Sequence, residues 1–452
     1  MRGLLLAAVA ACALAPAAAG AMTLTEALAA AYNNNPTLLA ERAALRATDE
    51  QVPQALSGWR PTVQAVGTIG GAWSDSNASD LAGGERSSAP RSIGLSISQP
   101  IYSGGRTIAA TARAEALVRA ERARALAVEQ QVFTDAVTAY MDVLQNQAVL
   151  ELSINNEQVL RRQLEASNDR FRVGEITRTD VAQAESRLAL AIADRIQAAN
   201  NLEAARAIFE RIVGVPPGRL STPAERPALP ANRDEALSLA AQNNPNVISA
   251  LFIESAAREA VRQVRGELLP DLRIVGSVQR TENQTISGRI NNSASITAQI
   301  TVPLYEAGSV YSRTREAQET VTQRRSQVDE TRRAALQQAT TAWETLQSNR
   351  ARVESLRSQI RAAEIALEGV QQEASVGSRT VLDILNAEQE LFNARVTLVR
   401  AQRDLLVSEF ELAAATGRLT AADLNLPVPL YDFDKHYKAV RNKWIGFDVD
   451  ED

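Results

Sequence analysis

Two residue types that carry much side-chain chemistry are almost missing: the chain has one cysteine, Cys12, and one histidine, His436. Their scarcity argues against Ser-His-Asp and Cys-His catalysis, disulfides, and the usual thiolate and imidazole zinc sites. No cofactor or metal is expected, and an enzyme could rest only on carboxylates. Aromatic residues make up 4% of the 452 residues, too few for several ordinary globular cores. No uninterrupted apolar stretch after the N-terminus approaches the roughly 20 residues of a membrane-spanning helix. Any membrane contact must therefore be made through strands. A net charge of −5 argues against nucleic acid as the main partner. What is abundant is Ala, Leu, Glu, Gln and Arg, the composition of long helices lying side by side.

The N-terminus reads as an export signal: Arg2, an apolar run from Leu4 to Leu14, and Ala19-Gly20-Ala21 as the cleavage site. Residues 1–21 are expected to be a signal peptide and the mature chain to begin near Met22. Cys12 follows Val9-Ala10-Ala11, which loosely resembles a lipoprotein cleavage site. The apolar run continues to Ala19, which favours the ordinary signal.

The rest of the chain aligns with itself. Asn34-Asn35-Pro36 matches Asn243-Asn244-Pro245, and Trp59-Arg60-Pro61 matches Leu268-Leu269-Pro270, both at an offset of 209 residues. After a polar loop the offset is 203. There Gln99-Pro100-Ile101-Tyr102-Ser103-Gly104-Gly105 matches Val302-Pro303-Leu304-Tyr305-Glu306-Ala307-Gly308, Val173-Gly174 matches Val376-Gly377, and Val213-Gly214 matches Thr416-Gly417. The length difference thus falls in the loop, and everything after it keeps one length, as two rods in one wall require. The first repeat spans 22–222, the second 223–426, and a C-terminal periplasmic tail 427–452. Each copy reads as helix, strand, loop, strand, long helix, tight turn, helix.

Thr23 with Glu26, and Asn232 with Glu235, have capping-box spacing, while Pro36 and Pro245 fit the first turn of a second helix. Strands are predicted over 62–73 and 91–100, and again over 271–280 and 293–302. Ile93, Leu95 and Ile97 alternate with serines, and Ala294, Ile296, Ala298 and Ile300 alternate with Ser293, Ser295, Thr297 and Gln299. This period of two suits a transmembrane barrel strand or a soluble sandwich equally. Four strands cannot close a membrane barrel, whose smallest forms have about eight, and open edges cannot face lipid. Three copies would supply twelve. The polar stretches Ser74 to Arg91 and Thr281 to Asn292 are expected as loops.

No proline interrupts the chain from Arg106 to Phe171 or from Ser309 to Ala374. Long helices are predicted over about 106–172, 179–213, 309–375 and 381–416, the longest of them rods of roughly 100 Å at 1.5 Å per residue. Phe133, Val137, Tyr140 and Leu144 form one apolar stripe, and Val132, Ala136, Ala139 and Val143 form a second beside it. Two adjacent seams suit a helix held between two neighbours, as in the wall of a helical barrel.

Together these features resemble the TolC-like family of outer-membrane channels, most specifically through Ser375-Val376-Gly377-Ser378-Arg379-Thr380-Val381-Leu382-Asp383-Ile384-Leu385-Asn386-Ala387. The resemblance implies a mainly α protein with a membrane β part. Three chains would form a 12-stranded β-barrel continuous with a 12-helix periplasmic α-barrel. It also implies a passive exit path across periplasm and outer membrane, for type I protein secretion or multidrug efflux. The homotrimer's implied partners are a periplasmic adaptor (membrane fusion protein), an inner-membrane ABC or proton-driven transporter, and outer-membrane lipid. By the family's pattern Asp383 and Asn386 lie at the pore constriction, and Arg379, Thr179 and Asp180 form a gate latch. Val173, Gly174, Val376 and Gly377 match the adaptor-contact tips. Asn386 stands where the family often has a second aspartate, and Ala374 where an aromatic commonly joins the latch. Both departures imply a weaker acid ring and a looser closed state.

Read without the resemblance, Thr177 with Asp180 and Thr380 with Asp383 are capping boxes that follow helix-ending glycines, Gly174 and Gly377. Asp383 can cap a helix and still face a threefold axis, where three such acids would raise one another's pKa. The competing function is a structural or adhesive periplasmic scaffold that uses its rods as spacers. Pro427 and Pro429 end the helix, and Asp448, Asp450, Glu451 and Asp452 make an acidic tail with two readings, docking near the tunnel waist or a mobile, solvated end, of which the second is favoured.

Overall fold

The computed structural model describes residues 21–76, 84–284 and 288–448. The expected signal with Cys12, and Asp450, Glu451 and Asp452, lie outside the described residues. Helices α1 (Leu24–Asn34), α2 (Pro36–Asp49) and α3 (Gln51–Leu56) lead into strands β1 (Thr62–Ile69), β2 (Ala72–Ser76), β3 (Gly84–Ser88) and β4 (Arg91–Ser103). The long α4 (Arg106–Arg172) and α5 (Arg178–Val213) follow. The second copy runs α6 (Arg233–Asn243), α7 (Pro245–Arg265), β5 (Asp271–Glu282), β6 (Ile290–Thr301), α8 (Ser309–Ser375) and α9 (Val381–Ala415), and a short α10 (Lys435–Val440) closes the chain. Both α4 and α8 have 67 residues, about 100 Å of helix, and α8 continues through Gly369.

Local chemistry sets the boundaries. Thr23 and Glu26 form the capping box that opens α1. The Asn35 and Asn244 side chains accept the N–H groups of Thr37 and Asn246 at 2.9 and 3.0 Å, just where Pro36 and Pro245 begin their helices. The break between α2 and α3 has no counterpart in the second copy. Pro53 has no N–H to give the Asp49 carbonyl and its ring crowds that turn. Arg262 stands at the matching place, and α7 is unbroken.

The four-stranded sheet has the order β1-β4-β5-β6, antiparallel throughout, so the two copies meet at β4 and β5. Its register sorts the side chains by face. Ala65, Leu95, Val278 and Ala294 form one cross-strand row, and Val63, Ile97, Gly276 and Ile296 the next. On the other face Gln64, Ser96, Ser277 and Ser295 lie in a row, with the last two hydroxyls 3.0 Å apart. Among the described residues the outer edges of β1 and β6 carry no partner strand.

Three expectations change. The strand expected over 62–73 is two strands, broken at Gly70-Gly71. Part of the expected loop Ser74 to Arg91 belongs to a separate two-stranded ladder, β2 with β3, from Ala72↔Ser88 to Ser76↔Gly84. The second hairpin pairs as far as Glu282↔Ile290, which leaves only 283–289 of the loop expected over Thr281 to Asn292. Polar composition misled in both places, because backbone pairing extends a ladder without any apolar alternation in its sequence.

The chain divides into two compact units, each drawing on both copies. One contains the start of the chain to Leu39, Val128–Ala240 and Gln337–Leu430; the other contains Ala40–Ala127, Ala241–Leu336 and the chain from Tyr431. In the first unit Tyr140 is buried and its hydroxyl donates to the carbonyls of Met22 and Ser221 at 2.8 and 2.7 Å. Small residues, Ala236, Ala240, Ala339, Ala342 and Ala415, gather around Leu346 and Leu412 and let these helices approach closely. In the second unit Val52, Ala114 and Val118 pack together beneath Tyr437.

The part of the tail from Tyr431 to Arg441 is docked within this second unit, whereas Asp448 is exposed and the last acids of the expected mobile end lie outside the described residues. Asp49, buried at the α2 break, lies 3.1 Å from His436. Arg122 pairs with Asp434 at 2.7 Å, Glu115 with Arg441 at 3.0 Å, and Arg42 lies over the Tyr431 ring. Burial pushes the Asp49 carboxyl above its ordinary value, while His436 pulls it down.

Candidate functional site

The two tight turns between long helices are the candidate gate. In the first, α4 gives way to Gly174, whose φ of +80° only glycine adopts without strain. The Glu175 N–H returns to the Arg170 carbonyl at 2.9 Å. The Thr177 hydroxyl then accepts the Asp180 N–H at 3.3 Å, and the Asp180 carboxylate accepts the Thr177 N–H at 2.9 Å and its hydroxyl at 2.8 Å. In the second, Gly377 has φ +83° and the Ser378 N–H reaches the Glu373 carbonyl at 3.0 Å. Thr380 and Asp383 repeat the box at 3.3, 3.0 and 2.8 Å. The capping reading therefore holds at both tips.

Capping also fixes the sign of the electrostatics within one chain. Backbone and hydroxyl donors of Thr177 and Thr380 hold the Asp180 and Asp383 carboxyls below their ordinary values. The rise expected for a ring of acids needs carboxylates from other chains. Arg379 donates to Glu373 at 2.8 Å, and that carboxylate stabilises its charge further. Within the chain Arg379 is thus held by its own hairpin and not by Thr179 or Asp180, and Thr179 is exposed. Val173 and Val376 are 78% and 79% exposed, an apolar residue at the apex of each turn.

Asn386 accepts a hydrogen bond from Arg187 at 2.9 Å, which joins α9 to α5. No motif in the sequence marks Arg187, because the pairing depends on how two helices distant in sequence lie together. Beneath it Leu160, Ala184, Ala191, Val381 and Leu385 form one apolar cluster that ties α4, α5 and α9. Ala374 is buried, so the position where an aromatic is common in the family contributes a small side chain to packing. No group of acids, histidines or cysteines among the described residues could hold a metal ion.

Paired long helices, a duplicated unit and a sheet with one apolar face and two open edges define a channel-forming protein of the outer membrane. The chain belongs to the outer membrane efflux protein family, which matches residues 27–215 and 236–418. It is 35% identical to the outer membrane efflux protein BepC of Brucella suis, over 94% of this chain and 91% of BepC. It is 29% identical to the alkaline protease secretion protein AprF of Pseudomonas aeruginosa, over 69% of this chain and 66% of AprF. Its fold is that of the Campylobacter jejuni CmeC outer membrane channel, with a TM-score of 0.79 at 16% identity, covering 93% of this chain and 89% of that one. The expected TolC-like membership and fold class are borne out, and the chain is a channel protein of the outer membrane, not an enzyme.

Proposed function

We propose that three copies close a twelve-stranded barrel in the outer membrane and a twelve-helix tunnel in the periplasm. The trimer provides a passive exit path gated at the helix tips. The open edges of β1 and β6 carry this reading, because a sheet with an apolar face cannot leave backbone groups unpaired in lipid. A periplasmic adaptor grips the exposed Val173-Gly174 and Val376-Gly377 turns, and an inner-membrane transporter, ABC or proton-driven, supplies the energy. Similarity to the efflux protein BepC over nearly the whole chain favours efflux; similarity to AprF keeps protein secretion as the second reading.

In the closed state Asp383 and Asn386 line the constriction. Arg379 would exchange Glu373 for Thr179 and Asp180 of the facing coil, while Arg187 to Asn386 holds the coils of one chain together. Opening is a shift between two coil arrangements that the adaptor biases. The deciding experiment is single-channel conductance in planar bilayers, with the oligomer's mass in detergent. A trimer with small, cation-selective, mostly closed conductance is expected, and Asp383→Ala should lower the cation selectivity. A monomer without conductance would return the chain to the scaffold reading.

A further inference from the structure

The chain's only lysines, Lys435, Lys438 and Lys443, fall within nine residues of its tail and are followed directly by Trp444-Ile445-Gly446-Phe447. Everywhere else its basic residues are arginines. In α10 the docked face is His436, Tyr437, Val440 and Arg441, while Lys435, Lys438 and Ala439 are exposed. The Lys438 ammonium lies 3.7 Å from Asp434, and Lys443 donates to the Asp448 carbonyl. Beyond the helix, Arg60 donates to the Lys443 carbonyl at 2.8 Å and lies over the Trp444 ring, 5.0 Å from its centre. Arg60 stands two residues before β1. The tail is thereby carried to the end of the sheet where β1 and β5 begin and β4 and β6 finish.

At that end Trp59 precedes β1, Tyr102 lies among the last pairs of β4 with β5, and Tyr305, beyond β6, is 80% exposed. Against them Trp444 is 64% exposed, Ile445 91%, and Phe447 fully. Aromatic residues at the rim of a membrane barrel sit at the headgroup level, lysines reach phosphates while their stems cover apolar surface, and large apolar residues insert below.

We propose that residues 435–447 form an interfacial anchor in which Trp444, Ile445 and Phe447 enter the periplasmic leaflet beside β1 and the lysines meet its phospholipid phosphates. The proposal rests on the strands lying in the membrane. The anchor fixes the depth of the sheet and clamps the α2–α4 end of the first copy to the bilayer.

The test uses the full chain with Cys12→Ser and one new cysteine carrying a nitroxide, in vesicles of phosphatidylethanolamine and phosphatidylglycerol. Ile445→Cys is compared with Ile296→Cys on the apolar face of β6 and with the exposed Ile365→Cys of α8. Accessibility to oxygen relative to a water-soluble nickel chelate should be severalfold higher at 445 than at 365 and close to that at 296. A ratio at 445 equal to that at 365 overturns the anchor. So does a label shielded from both reagents, the signature of a neighbouring chain covering the segment. If position 296 itself reads as aqueous, the membrane placement of the strands fails together with the anchor.

Discussion

The two helix tips share one backbone and carry opposite charge arrangements. Arg170, at the end of α4, pairs with Glu175 in the turn at 2.6 Å; the matching position at the end of α8 is Glu373, which pairs with Arg379 at 2.8 Å. The left-handed glycine and the Thr–Asp box are the same in both. Backbone hydrogen bonds depend on glycine and cap, so duplication preserved them, whereas an exposed ion pair holds little stability and is free to change sign. The tips are mechanically alike and electrostatically distinct, so only side chains can give them different roles in a gate.

The bases of the two hairpins diverge more sharply. Gly104 and Ala307 occupy matching positions with φ of +61° and +50°. A Cβ on Gly104 would meet the Gly266 carbonyl oxygen at 2.1 Å, within the contact that Arg106 reinforces by its ion pair with Asp271 at 2.9 Å. Gly104→Ala should therefore cost about 2–4 kcal/mol in thermal unfolding. Ala307→Gly relieves left-handed strain of about 1–2 kcal/mol, mostly offset by a freer unfolded chain, and should change stability little. Equal effects at the two positions would show that the copies are not as different as the Gly266 contact makes them.

Next in size is the clamp that the tail makes on the first copy. His436→Ala leaves the buried Asp49 carboxyl without its partner and should destabilise the docked tail by about 1–3 kcal/mol, read as faster proteolysis after Tyr431. Undiminished protection would mean that Arg122, Glu115 and the aromatic contacts hold the tail alone.

The caps follow. Thr177→Ala and Thr380→Ala should each cost about 1 kcal/mol, seen as faster amide exchange at the helix starts. Both aspartates titrate below their ordinary value of 3.8 when folded. The caps are therefore fully effective above that value and fade as the pH falls through the lower folded one, at both tips together. Fraying at one tip alone would break the equivalence.

Smallest in stability is the ion-pair reversal itself. Arg379→Ser should leave the melting temperature unchanged and yet raise closed-state conductance, because its partner Glu373 is exposed and the proposed latch acts only in the trimer. Arg187→Ala should act in the same direction. No conductance change from either substitution would remove the electrostatic distinction from the gate.

Much was legible in the sequence because it follows from near neighbours. Helix lengths come from the missing prolines, the tip turns from Gly174, Gly377 and their Thr–Asp boxes, and the strands from an alternation of two. Those features depend on residues a few places apart, and duplication wrote each of them twice. The tertiary structure alone decided the rest. The sheet order placed β4 against β5, Arg187 found Asn386 across 199 residues, and the tail was fastened to Asp49, Glu115 and Arg60. Such pairings depend on which helix faces come together, and no local pattern encodes that. A short polar ladder such as β2 with β3 is likewise invisible to periodicity, since its sequence carries no apolar alternation.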